Sequence, residues 1–122
     1  MNPLRRILAL VAFLGLSLMA WAQGSKNLYV VIHVDIAPGP SGLAEPIKAL
    51  QEFAADSRKD PGVVRFEVLQ QDRQNHFTIV EVWQSKEAFD AHTAANHTKQ
   101  FREKIGPKLG SPFDERIHTL LQ

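Results

Sequence analysis

Leu28-Tyr29-Val30-Val31-Ile32-His33-Val34-Asp35-Ile36 is the stretch that decides the fold. Its even-numbered positions are all aliphatic, and its odd-numbered ones are Tyr29, Val31, His33 and Asp35. Successive side chains of a strand point to opposite faces, so this period of two predicts a strand with one hydrocarbon face and one mixed face. Ala37-Pro38-Gly39-Pro40-Ser41-Gly42 cannot continue a strand and reads as a loop.

Downstream, Leu43, Ile47, Leu50 and Ala54 recur at helical spacing, which predicts a helix over 43–58 with Pro46 in its first turn. Asp60-Pro61-Gly62 ends it. Val63 to Gln70 reads as a second strand with Val64, Phe66 and Val68 on one face. Phe77 to Gln84 reads as a third, with Thr78, Val80 and Val82 on one face and Phe77, Ile79, Glu81 and Trp83 on the other. The short polar link between these two strands makes them antiparallel neighbours. Ser85 is the expected N-cap of a helix through Phe89 and His92. That pattern breaks at 94–96 and resumes with His97, Phe101 and Ile105 one turn apart. Gly106-Pro107 disrupts it, and Phe113 to Leu121 closes the chain as a last strand.

The order β-α-β-β-α-β is an α+β, ferredoxin-like plan, with both helices on one face of an antiparallel sheet. We expect Tyr29, His33, Phe77, Ile79, Glu81 and Trp83 on the uncovered face. Large residues there mark an interface, and two sheets packed face to face would enclose a cavity, which predicts a homodimer.

Ahead of this domain stand Arg5-Arg6, an uncharged apolar run from Ile7 to Ala20, and Ala20-Trp21-Ala22. The run is shorter than the roughly 20 residues of a membrane span. The pattern reads as a signal peptide over 1–22, cut before Gln23, with 23–122 as one exported domain, periplasmic or secreted, and no stable membrane anchor after cleavage. The chain has no cysteine, which excludes a lipoprotein anchor, disulfides and thiolate chemistry. Loss of Arg5 and Arg6 takes the formal charge from +1 to −1, and no Lys/Arg run remains, so nucleic acid is not an expected partner.

Four stretches carry a family resemblance. They are Pro38-Gly39 after the first strand; Asp60-Pro61-Gly62-Val63-Val64-Arg65-Phe66; Glu81-Val82-Trp83 with Ser85; and Phe89-Asp90-Ala91-His92 with Asn96-His97 and Phe101. In this order the chain resembles the antibiotic biosynthesis monooxygenase family, whose patterns read E-P-G-C-x-x-Y/F, E-x-W-x-S/D and F/L-x-x-H-x-x-x-x-H-x-x-x-F/Y. The resemblance implies a dimeric α+β barrel of ferredoxin-like protomers, and the small bacterial quinol monooxygenases are the most similar members. It also implies that His97 borders a substrate pocket. Haem-degrading members carry an asparagine where this chain has His33, and oxidisers of polycyclic phenols carry one where it has Ile79. The resemblance therefore implies neither of those activities.

Several residues can carry chemistry. His33, alone in an aliphatic strand, His92 and Glu81 are the candidate catalytic groups: a histidine base near neutral pH, oriented by a carboxylate. Each also has a structural reading, as a hydrogen-bonded histidine or as a buried pair of Glu81 with Arg65 or His33. Trp83, Phe77, Phe101, Tyr29 and His97 are candidate substrate contacts, or else core and interface aromatics. His92 and His97 are five apart, which misses the i, i+4 spacing of paired ligands, although a kink between them could bring them together; no third ligand stands out, so no metal is expected. No flavin, nicotinamide or haem motif occurs. The leading expectation is cofactor-independent oxidation of a small aromatic quinol by O₂, with a base removing a phenolic proton inside a dry pocket. The alternatives are a non-catalytic module binding an aromatic or haem-like ligand, and a dimerisation domain whose cavity is filled by its own side chains.

Overall fold

A computed structural model describes residues 27–122, and the expected leader lies outside the described residues. The elements are β1 (Leu28–Asp35), α1 (Ala44–Ser57), β2 (Val63–Gln70), β3 (His76–Trp83), α2 (Lys86–Ala94), α3 (Asn96–Ile105), a 3₁₀ turn (Gly106–Lys108) and β4 (Asp114–Thr119). The predicted order holds, with boundaries within two residues. No helix among the described residues is long and apolar enough to cross a membrane.

The four strands form one antiparallel sheet in the order β2-β3-β1-β4. α1, α2 and α3 cover one face. Phe53 of α1 joins helix to helix and helix to sheet: it stacks flat on Phe101 of α3 at 4.1 Å and meets Phe66 of β2 edge-on at 5.2 Å. Around it, Val30, Ile32, Val34, Leu50, Ile79, Phe89 and Ile105 are buried. Each such side chain contributes about 1.5–3 kcal/mol of burial.

The register corrects the assignment of faces. Val30 pairs with Glu81, Ile32 with Ile79 and Val34 with Phe77. Directly opposed residues share a face, so Phe77, Ile79, Glu81 and Trp83 lie with the aliphatic positions of β1 beneath the helices. The open face instead carries Tyr29 opposite Val82, Val31 opposite Val80, and His33 opposite Thr78. A period of two divides each strand into two faces. It does not say which face of one strand continues the face of the next, because that depends on whether even-numbered residues pair with odd or with even ones.

The Asp60-Pro61-Gly62 turn is fixed at both ends. Asp60 N–H donates to the Ser57 carbonyl at 3.1 Å, and Gln84 N–H donates to the Gly62 carbonyl at 2.8 Å. Gly62 has φ +81°, and a Cβ there would lie 2.6 Å from the Ala88 Cβ. Both the backbone region and the close approach to α2 call for glycine. Gly62→Ala is expected to destabilise the domain by about 1–3 kcal/mol. A urea midpoint unchanged by the substitution would show that the turn does not hold α2 in place.

Candidate active site

The site grows from the turn that Gly62 makes possible. Asp60 stands between α1 and β2 and reaches the junction of α2 and α3. Its Oδ2 accepts from Nδ1 of His92 at 2.7 Å and from Nε2 of His97 at 2.9 Å. On one continuous helix, five residues turn through about 500°, which would leave the two imidazoles about 140° apart. Ala95 breaks the helix with extended backbone, φ −67° and ψ 149°, and re-aims His97. Thr98 Oγ1 donates to the His92 carbonyl at 2.6 Å and ties the two helices across the break. The kink thus brings together two histidines that their spacing on one helix would keep apart. Asp60 is the partner that sequence reasoning missed. Its signal is the acidic residue of Asp-Pro-Gly, which marks a helix stop and heads a family-like stretch but does not by itself point to the histidines.

His92 is 4 % exposed and its ring lies 4.6 Å from that of Trp83, which is fully buried. Trp83 was expected on the open face; instead it is a core aromatic of the helix-covered face. Its indole Nε1–H donates to Glu81 Oε2 at 2.8 Å, and that oxygen stands 3.9 Å from His92 Nε2. Because Nδ1 of His92 donates to Asp60, Nε2 is left as a lone-pair acceptor turned towards Glu81. Glu81 is 1 % exposed, and its other oxygen, Oε1, has no hydrogen-bond partner. Burial pushes its pKa from 4.5 up to about 7, against the opposing pull of the Trp83 N–H. Burial also lowers the His92 pKa, against the raising effect of Asp60, and so favours the neutral ring.

The other expected residues divide. Phe101 lines the same cavity as Glu81 and His92, but its ring is stacked on Phe53. His97 binds Asp60 at the half-exposed edge. Phe77 is buried at the opposite end of β3 from Trp83, six residues or about 20 Å along the strand, and takes no part. Tyr29 and His33 lie across the sheet from the site, His33 within 3.4 Å of Thr78 Oγ1. His33 therefore does not join Glu81 or His92, and the expected pairing of Glu81 with His33 or Arg65 does not form.

The cavity lined by Glu81 and His92 measures about 10 Å³, room for one water molecule. Phe53, Phe101 and Phe113 also line it, and the partly exposed Arg102 and Phe113 stand at its rim. Arg102 places its guanidinium 5.2 Å from the Phe113 ring centroid and 3.4 Å from Glu115 of β4. This cavity lies between the sheet and the helices, not on the open face where the pocket was expected.

Comparison with known proteins places this geometry. The family described as antibiotic biosynthesis monooxygenase matches residues 27–104, most of the chain and all of the site except the Phe113–Glu115 rim. The chain belongs to the antibiotic biosynthesis monooxygenase family. An uncharacterized protein of Synechocystis is 27 % identical over 94 residues, covering 76 % of this chain and 64 % of that relative. The chain thus spans less than two thirds of that relative's length. Among solved structures, a Pseudomonas aeruginosa protein superposes with a TM-score of 0.73 at 20 % identity, covering 81 % of this chain and 98 % of that one. A Mycobacterium tuberculosis protein gives 0.73 at 16 %, covering 80 % and 97 %. These likenesses show the fold.

Of the groups present, only Asp60, His92 and His97 bring three possible metal-ligand atoms within 4.8 Å of one another among the described residues.

Glu81 also sets a pH dependence of stability. A folded pKa above the ordinary 4.5 means that the native state is favoured while Glu81 is protonated. That contribution is complete below about pH 4.5 and is lost as pH rises towards 7. His92, with a lowered pKa, works the other way on acidification, so the comparison must be made between variants. Glu81→Gln is expected to gain stability relative to the parent between pH 5 and pH 8, by a few kcal/mol at most. Guanidinium titrations at the two pH values measure this. An identical difference at both would mean that Glu81 titrates in its ordinary range.

Proposed function

We propose that this protein oxidises a small electron-rich phenol or quinol with O₂, without a cofactor, using His92 as the base. The observation that supports this most directly is the Asp60–His92 pair, which turns a bare Nε2 into a buried, largely apolar site beside Glu81. A carboxylate that fixes the tautomer and steadies the resulting imidazolium is the usual way to make histidine an effective base. His92 Nε2 takes the phenolic proton, and the phenolate is then a strong enough reductant to pass an electron to O₂. For hydroxylation of a quinol, one oxygen atom ends on the ring as a hydroxyquinone and the other leaves as water. For simple oxidation, the quinol's two protons and two electrons leave as hydrogen peroxide. Glu81, close to half-protonated near pH 7, offers a place for the second proton.

With a cavity of about 10 Å³, the ring enters only when Phe113 and Arg102 swing from the rim. The open face, with Tyr29, Val31, Val80 and the half-exposed Leu69, is the surface we assign to a homodimer. Export to the periplasm or beyond, read from residues 1–22, belongs to the same proposal. The small size of the cavity favours a second reading, in which the domain binds or assembles without turnover.

O₂ uptake with a panel of quinols, measured against their autoxidation, separates the two. Saturable acceleration is expected, falling by about a hundredfold or more in His92→Ala, with His33→Ala close to the parent. No acceleration above autoxidation would end the oxidase reading. Equal loss in His33→Ala and His92→Ala would remove His92 from the role of base.

A further inference from the structure

We propose that Asp60, His92 and His97 form a binding site for a divalent first-row transition ion, and that the ion competes with the use of His92 as a base. Two neutral imidazoles and one carboxylate are a donor set suited to zinc, iron or cobalt rather than to magnesium or calcium. Each of the three residues offers one ligand atom within 4.8 Å of the others, and Asp60 Oδ2, His92 Nδ1 and His97 Nε2 are the atoms already in contact. An ion about 2.0–2.2 Å from each would need them roughly 3–3.5 Å apart. The two O–N distances of 2.7 and 2.9 Å must open by a few tenths of an ångström, and the nitrogens must close on each other.

The surroundings permit that adjustment unequally. His92 is buried, with its ring against Trp83 and its carbonyl held by Thr98, whereas His97 is partly exposed in the first turn of α3, just after the Ala95 break. His97 is therefore the ligand that moves. A hollow of about 50 Å³ opens beside it, with Asp56 and Gln100 on its wall, and gives the ring room to shift. Asp60 and His97 are both partly exposed, so the side of the cluster away from His92 faces water. Three protein ligands with an open side are the pattern of a reactive or exchangeable site, and a closed structural site takes four.

The consequence for His92 follows from its two nitrogens. In the hydrogen-bonded state, Nδ1 holds the proton and Nε2 the lone pair. An ion on Nδ1 takes that lone pair, and the neutral ring then carries its proton on Nε2, directed at Glu81 Oε2 3.9 Å away. The ring then cannot accept a phenolic proton. This second statement rests on the oxidase reading; the binding site itself does not.

Calorimetric titration of the chelator-treated, dialysed protein with Zn²⁺ tests the site. One ion per chain is expected, with affinity falling by more than about tenfold in His97→Ala and in Asp60→Asn. Co²⁺ should give visible absorption bands that are lost in the same variants. His97 is at the surface, so His97→Ala should fold, as circular dichroism would verify. No binding at millimolar Zn²⁺, or binding that survives both substitutions, overturns the proposal. Quinol oxidation with and without Zn²⁺ tests the competition separately. Turnover undiminished at saturating ion would refute it and leave the site standing, and a protein without turnover still tests the site through binding alone.

Discussion

One carboxylate oxygen, Asp60 Oδ2, holds the candidate site together. It accepts from His92 on α2 and from His97 on α3, and so joins two helices to the turn that precedes β2. Nearly everything chemical about the site depends on those two hydrogen bonds. They set the tautomer of His92, direct its free nitrogen towards Glu81, and hold the α2–α3 junction at Ala95 in its broken form. Charge-assisted bonds of this kind, partly shielded from water, are worth more than surface pairs such as Lys86 with Asp90.

The second constraint is the sheet register. Because Val30 faces Glu81 across the β1–β3 ladder, a carboxylate stands in the middle of a hydrocarbon face. Such a group is costly unless it is partnered or protonated. Trp83 partners one oxygen and burial raises the pKa, so the fold bears the cost in part by keeping a proton near Glu81. A carboxyl poised near neutrality beside a neutral histidine is an arrangement that purely structural cores have little reason to keep.

The sequence made the order of elements, their boundaries, the N-cap at Ser85 and the break near Ala95 legible, because each has a local cause in periodicity, capping or Pro/Gly chemistry. What was not legible was non-local. Pairing parity placed Glu81 and Trp83 under the helices and left His33 and Tyr29 on the other face. Asp60 looked like a helix stop because its partners lie 32 and 37 residues away. The near-absence of free volume follows from how Phe53, Phe101 and Phe113 meet, which no strand or helix pattern encodes.

The most direct test of this account is the protonation of the His92 ring, read from two- and three-bond ¹H–¹⁵N correlations of ¹⁵N-histidine-labelled, metal-free protein at neutral pH. The account predicts a neutral ring protonated on Nδ1 with a bare Nε2, and loss of that preference in Asp60→Asn. A ring protonated on Nε2, or an imidazolium at neutral pH, would contradict it, because His92 would then have no lone pair facing Glu81.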